Sequence, residues 1–434
     1  MIEALTQLRE IMESLTEPWK TTAIYSLQSE AFDLDMLRIL TTDKYKENSI
    51  VEEITSIFVI MTSVEDTEFI CRVAGKGLIH VLSNCFATSN SKILENILLV
   101  FGNVVHRNNE YRDLYNDKKL LRTITKALVA WKSFQTKDVG VYLAYIYLLQ
   151  NYLTVEPHLG FKETKYYLSI IIDLYVNLNE TYTRFLEHDI LKFIFSSLAV
   201  AEHYNIDYMT TKDYWNFFII RLADNLNNID LEVVALSVKI LLILVCSEDT
   251  DKFEVLLNAR IFEHLYNLFS DAYHSIISDL LLLVERLMQF SGKFVDSFIE
   301  HQVIIKIMTE FEKAKRNGEP IAEYLITLCS LFSNEHNTTL VGYLLKNLDL
   351  IDIIIDAIKH CEGYEDHELI HDIMVHIVAA GSAFYSDTFK DNIVLDYIAD
   401  NEQVRIALID ILHNEDYRVV GLYKNFLEKH FKFD

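Results

Sequence analysis

The sequence predicts an all-α protein built from stacked helical repeats, and three observations carry that reading. Only 3 Pro and 11 Gly occur among 434 residues, far below the usual rates of about 5% and 7%. Sheets need turn residues at every hairpin and separate domains need linkers; this chain holds little material for either. Hydrophobic residues reach 51%, so the apolar mass to be buried is large. Finally, an apolar helical segment returns at a near-constant interval along the whole chain. Length alone would point to two or three compact domains; these features point instead to one continuous array over residues 1–434.

Taken in order, most windows place apolar residues at i, i+3, i+4 and i+7, the helical period. The clearest apolar helices are expected over 54–61, 93–105, 141–153, 234–245, 276–288 and 322–332. Polar breaks such as Ser63-Val64-Glu65-Asp66 and His106-Arg107-Asn108-Asn109 follow them. A second helix then runs to a recurring phrase, seen at 72–78, 115–120, 257–261 and 299–303, and a third helix begins there, over 78–86, 121–129, 262–269 and 304–311. Equivalent points on the apolar helices fall at Thr55, Leu99, Tyr147, Phe193, Ile240, Leu282, Ile326 and Asp372, about 44, 48, 46, 47, 42, 44 and 46 residues apart. A period of about 40–47 residues marks armadillo or HEAT arrays, and three helices per unit favours the armadillo type. The expected architecture is a right-handed superhelical solenoid of about nine or ten such repeats, each burying its apolar faces against its neighbours.

Composition also bounds function. The net charge of −25 excludes a general nucleic-acid binder, which needs clustered Lys and Arg to neutralise phosphates. It permits a basic partner, or simply keeps a large apolar protein in solution. The five cysteines, Cys71, Cys85, Cys246, Cys329 and Cys361, are scattered and lack CxxC spacing. A disulfide framework or zinc site is therefore not expected. The first twenty residues are amphipathic and acidic, unlike a signal peptide. The most apolar stretch, 233–246, is short and contains Lys239, so no membrane span is expected. A soluble intracellular protein of the cytoplasm or nucleus fits these features.

Several phrases resemble the importin-alpha (karyopherin-alpha) family. Leu99-Val100-Phe101-Gly102-Asn103-Val104-Val105, followed by Glu110-Tyr111-Arg112-Asp113-Leu114, is similar to that family's Trp-Ala-Leu-Gly-Asn-Ile-Ala and Arg-Asp elements. Tyr147-Leu148-Leu149-Gln150-Asn151 with Pro157 resembles the next family repeat, and the closing stretch 417–431 resembles the family's last helix. The resemblance implies a groove lined by a Trp-x-x-x-Asn ladder, in which Asn amides hold the backbone of an extended basic peptide and aromatic faces hold its cations. Spacing of i, i+4 puts both residues on one helix face, and indole faces attract cations. Here no Trp occupies the first position. The second reads Val59, Asn103, Asn151, Ser197, Leu244, Arg286, Ser330 and His376, and Arg107 stands where the family keeps an acid. Glu95 and Glu323 match family acids beside the groove. The expected partner-binding residues are therefore Glu95, Asn103, Tyr147, Asn151, Glu323 and Ser330. The family's basic importin-beta-binding segment has no counterpart in the acidic amino end, so importin-beta is not an expected partner by that route.

One catalytic motif stands out: His367-Glu368-Leu369-Ile370-His371, an HExxH that could bind zinc with Glu368 as base. No metzincin continuation follows it, and it falls inside a repeat. No phosphate loop or nucleophile constellation accompanies it. The expectation is a non-enzymatic adaptor, without metal or cofactor, that binds a protein or a basic, extended peptide in the concave groove. The alternative is a scaffold fixed in a larger cytoskeletal or organellar assembly that no longer reads nuclear signals.

Overall fold

In the computed structural model, the described residues cover most of 1–107, 139–202, 213–317 and 393–431, with Arg112, Asp113, parts of 121–126 and scattered positions between 324 and 378. Every regular element among them is helical. They fall into two compact units, Met1–Tyr208 and Met209–Asp434.

The first unit holds ten described α-helices: α1 (Ile2–Ser14), α2 (Glu17–Ser29), α3 (Phe32–Thr41), α4 (Asn48–Ser63), α5 (Thr67–Gly75), α6 (Leu78–Cys85), α7 (Ser91–Arg107), α8 (Val139–Thr154), α9 (Phe161–Asn177) and α10 (Glu180–Glu202). Among them α1, α4, α7, α8 and α10 stack in one row, each packed on the next. Burial explains the stacking. On α7, Ile93, Leu94, Ile97, Leu98, Val100, Phe101, Val104 and Val105 are all nearly solvent-free. Such a helix is covered on most of its circumference, which only neighbours on several sides can do. Arg9 of α1 binds Glu53 of α4 through Nε at 2.8 Å and Glu13 through Nη1 at 3.0 Å, tying the first helix to the row.

The second unit holds α11 (Asp213–Asp224), α12 (Leu231–Val245), α13 (Asp251–Asn258), α14 (Ile261–Leu268), α15 (Ile277–Phe290), α16 (Gly292–Glu300), α17 (Val303–Asn317), α18 (Ile393–Asp400), α19 (Glu402–Asp410) and α20 (Tyr417–His430). Here α12 packs on α15 and α14 on α17. The Phe262 ring of α14 meets Phe298 edge-on at 4.7 Å and Phe294 at 5.6 Å.

Three of the four recurring phrases between second and third helices hold one and the same turn, and 115–120 lies outside the described residues. Gly77, Arg260 and Gln302 each adopt a left-handed backbone, with φ of 94°, 54° and 59°. Each donates its N–H to the carbonyl three residues back: Ala74, Leu257 and Ile299. A second repeated device escapes the periodicity. Asn228-Ile229-Asp230 and Asn414-Glu415-Asp416 each follow a one-turn 3-10 helix, Asn225–Asn227 and Ile411–His413. In both, the Asn carboxamide accepts from the Asp N–H, and the Asp carboxylate accepts from the N–H two residues on, capping α12 and α20.

Candidate partner-binding groove

The exposed positions of the first unit's helix row follow from its packing. On α7 the residues left partly accessible between buried neighbours include Glu95, Leu99 and Asn103, spaced i, i+4, i+8 along one stripe. On α8 they include Leu143, Tyr147 and Gln150, and on α10 Asp189. All of these but Asn103, with Gly140, Ala144 and Ile146, line an open groove of about 310 Å³. Its floor is apolar and two carboxylates stand at its edge. Lys92 donates to Glu95 at 3.1 Å, and His188 lies 3.6 Å from Asp189.

Two glycines shape it. A Cβ on Gly102 would lie 2.6 Å and 2.7 Å from Cδ1 and Cε1 of Tyr147, closer than atoms tolerate, so the tyrosine ring rests on the bare backbone of α7. A Cβ on Gly140 would lie 2.7 Å from Oε2 of Glu95, so that carboxylate is seated against α8. Glycine here is required by close approach rather than by a turn.

Of the expected site residues, Glu95 and Tyr147 line the groove together. Asn103 lies beside it, half-buried, with both ends of its amide in use. Its Oδ1 accepts from the Tyr147 hydroxyl at 2.8 Å, and its Nδ2 donates to Thr62 Oγ1 at 3.1 Å. Asn151 is buried and aims its Nδ2 at the Gly102 carbonyl, 3.4 Å away. Glu323 and Ser330 lie outside the described residues. The remaining ladder positions do not form one stripe. Thr55, Phe193 and Ile240 are fully buried, whereas Leu282 and Arg286 are exposed. Asn96 donates to Thr55 and Asn103 to Thr62, both at 3.1 Å and both 41 residues back, rather than the 44 that separate Thr55 from Leu99.

Sequence reasoning missed Leu143, Ile146 and Asp189 as lining residues. Leu143 carries one signal, its place four residues before Tyr147 on the same helix face; Ile146 and Asp189 carry none. Deeper in the unit, burial pushes the Tyr145 hydroxyl well above its ordinary range. Thr125 Oγ1 donates to the Leu121 carbonyl, so the Tyr145 hydroxyl, 2.8 Å away, donates to Thr125.

The two histidines of the HExxH motif pack against α20. His367 is buried, its ring edge-on to Tyr423 of α20 at 5.9 Å. His371 meets Tyr423 and Phe426 edge-on, and its Nδ1 lies 3.2 Å from Asp372 Oδ1. Glu368 accepts from the Tyr364 hydroxyl at 3.4 Å. Among the described residues no three His, Cys, Asp or Glu side chains gather where they could hold a metal. No described helix is long and apolar enough to cross a membrane.

Solved structures share this arrangement. An engineered protein solved by the Northeast Structural Genomics Consortium superposes with a TM-score of 0.65 at 13% identity, over 98% of this chain and 94% of that one. A chain from a structure described as a conserved phosphorylation switch controlling the interaction between cadherin and beta-catenin superposes with a TM-score of 0.64 at 9% identity, over 98% and 90%. At such identities the likeness shows the fold, an all-α helical-repeat architecture, and the fold alone. No protein-family profile matches the chain, and no curated protein matches it.

Proposed function

We propose that this chain is a non-enzymatic, protein-binding adaptor of importin-alpha type, acting in the cytoplasm or nucleus through the groove between α7, α8 and α10. The observation that carries the reading is the groove itself. Leu99 and Leu143 leave apolar surface open beside Glu95 and Asp189, and a partly open apolar floor with a charged edge is the anatomy of a protein-binding site. A scaffold that no longer reads nuclear signals is the second reading. It is favoured by the amides of Asn103 and Asn151, which are engaged inside the protein rather than offered to a peptide backbone.

The test is selection of random 16-residue peptides displayed on phage against the full-length protein. Enrichment that is lost in Leu99→Glu and in Asp189→Lys supports the groove, with circular dichroism showing both variants folded. Enrichment indifferent to both substitutions, or none at all, sinks it. A labelled Lys/Arg-rich nuclear-signal peptide separates the two readings by anisotropy. Micromolar binding supports cargo transport, and no binding beside successful selection supports the scaffold.

A further inference from the structure

The groove offers an incoming chain apolar floor and charged edge but little hydrogen bonding. An extended peptide brings a backbone N–H and C=O at every residue, and each needs a partner once water is displaced. The two asparagine amides nearest to supply them are committed elsewhere. Asn103 is held between Tyr147 and Thr62, and Asn151 is buried against Gly102. A helix satisfies its backbone internally and presents side chains alone. Resting on the protein-binding reading above, we propose that the groove receives an amphipathic helix of a partner protein. Apolar side chains of the helix spaced i, i+3 or i+4 sit on Leu99, Leu143 and the Tyr147 ring, and flanking Lys or Arg residues face Glu95 and Asp189.

Size and charge agree with this occupant. A space of about 310 Å³ lies at the small end of binding pockets, which run from about 300 to 1,000 Å³. It takes two side-chain anchors while the helix axis stays above the opening. Lys92 and His188 stand beside the two carboxylates, but the chain as a whole carries −25, and that field draws a basic segment toward the site.

Peptides selected in a groove-dependent way decide the matter. The expected sequences carry large apolar residues at i, i+3 or i+4 with Lys or Arg beside them. Their synthetic forms gain helical circular dichroism on binding the full-length protein. A central proline weakens them at least tenfold, because it breaks a helix. Groove-dependent binders that lack the apolar spacing and keep their affinity within twofold after proline insertion overturn the helical occupant while leaving the groove intact. Binders unaffected by Leu99→Glu and Asp189→Lys overturn the groove reading first.

Discussion

Gly102→Ala is the most direct probe of how the groove is built. The added methyl would stand 2.6 Å and 2.7 Å from two ring carbons of Tyr147 and 3.4 Å from the Leu148 Cα. Ordinary carbon contacts lie at about 3.5–4.0 Å, so the ring has to move by roughly an ångström. That displacement stretches the 2.8 Å bond from the Tyr147 hydroxyl to Asn103. Overpacking of this kind costs about 1–3 kcal/mol, and a lost hydrogen bond about 0.5–1.5 kcal/mol more. Opposing both, alanine is favoured over glycine within a helix by about 1 kcal/mol. The net expectation is destabilisation by about 1–3 kcal/mol, read as a lower urea midpoint or melting temperature. The decisive arm is a double-mutant cycle with Tyr147→Ala. Without the ring, Gly102→Ala should turn neutral or stabilising, giving a coupling of about 2 kcal/mol or more between the two positions. If Gly102→Ala were stabilising in the parent chain, or if the two changes simply added, the ring would not rest on Gly102 and the groove geometry would be wrong.

Gly77 has φ of 94° with open space around its missing Cβ, so Gly77→Ala should cost about 1 kcal/mol by backbone strain alone, measured by thermal melting. Glu310 is buried between Lys306 and Lys313 at 2.9 Å and 3.0 Å; Glu310→Ala should cost about 1–3 kcal/mol, less than a fully buried pair because both lysines reach solvent. The caps should cost similar amounts, with Asp230→Ala and Asp416→Ala each losing about 0.5–2 kcal/mol in urea unfolding. His264 bonds Asn227, and burial lowers its pKa below the ordinary 6.5. As pH falls through 6.5 the unfolded chain takes up the proton first, so stability is complete above 6.5 and declines below it. His264→Gln should flatten that decline in melts between pH 7 and pH 5, and an unchanged slope would show that His264 is not its source.

Much of the helix pattern was legible because its signals are local. The expected segments 93–105 and 141–153 sit inside α7 and α8, and the phrases at 72–78, 257–261 and 299–303 contain the left-handed residues Gly77, Arg260 and Gln302. The facing of each helix was less legible, for a physical reason. α8 and α12 are apolar nearly all round, since they have neighbours on several sides, and such a helix does not announce which stripe meets solvent. Thus Ile240 of α12, read as a ladder position, lies in the core, as does Phe193 of α10. Asp189 could not be assigned to the groove at all, because its place there depends on how α10 packs against α8. The paired Asn-x-Asp caps were visible in the sequence at 228–230 and 414–416, but a search for apolar period passes over polar punctuation.

The asparagines that resemble a ligand-reading ladder have a second use in this chain. Asn96 ties α7 to Thr55 and Ser56, Asn103 ties it to Thr62, and Tyr147 ties α8 to Asn103. Sliding α7 by one turn against α4 would leave these partly buried groups unpaired, at about 1–3 kcal/mol each. Apolar surface tolerates such a slip far better, because dispersion and burial are not directional. The polar bonds therefore select the register of α7 against α4, and with it how far along the groove Leu99 stands. Once committed to that role, the same amides are withdrawn from any ligand. Discrimination between partners must then rest on the shape of the floor and on the two carboxylates at its edge, which is the physical reason to look for a partner with its own backbone already satisfied.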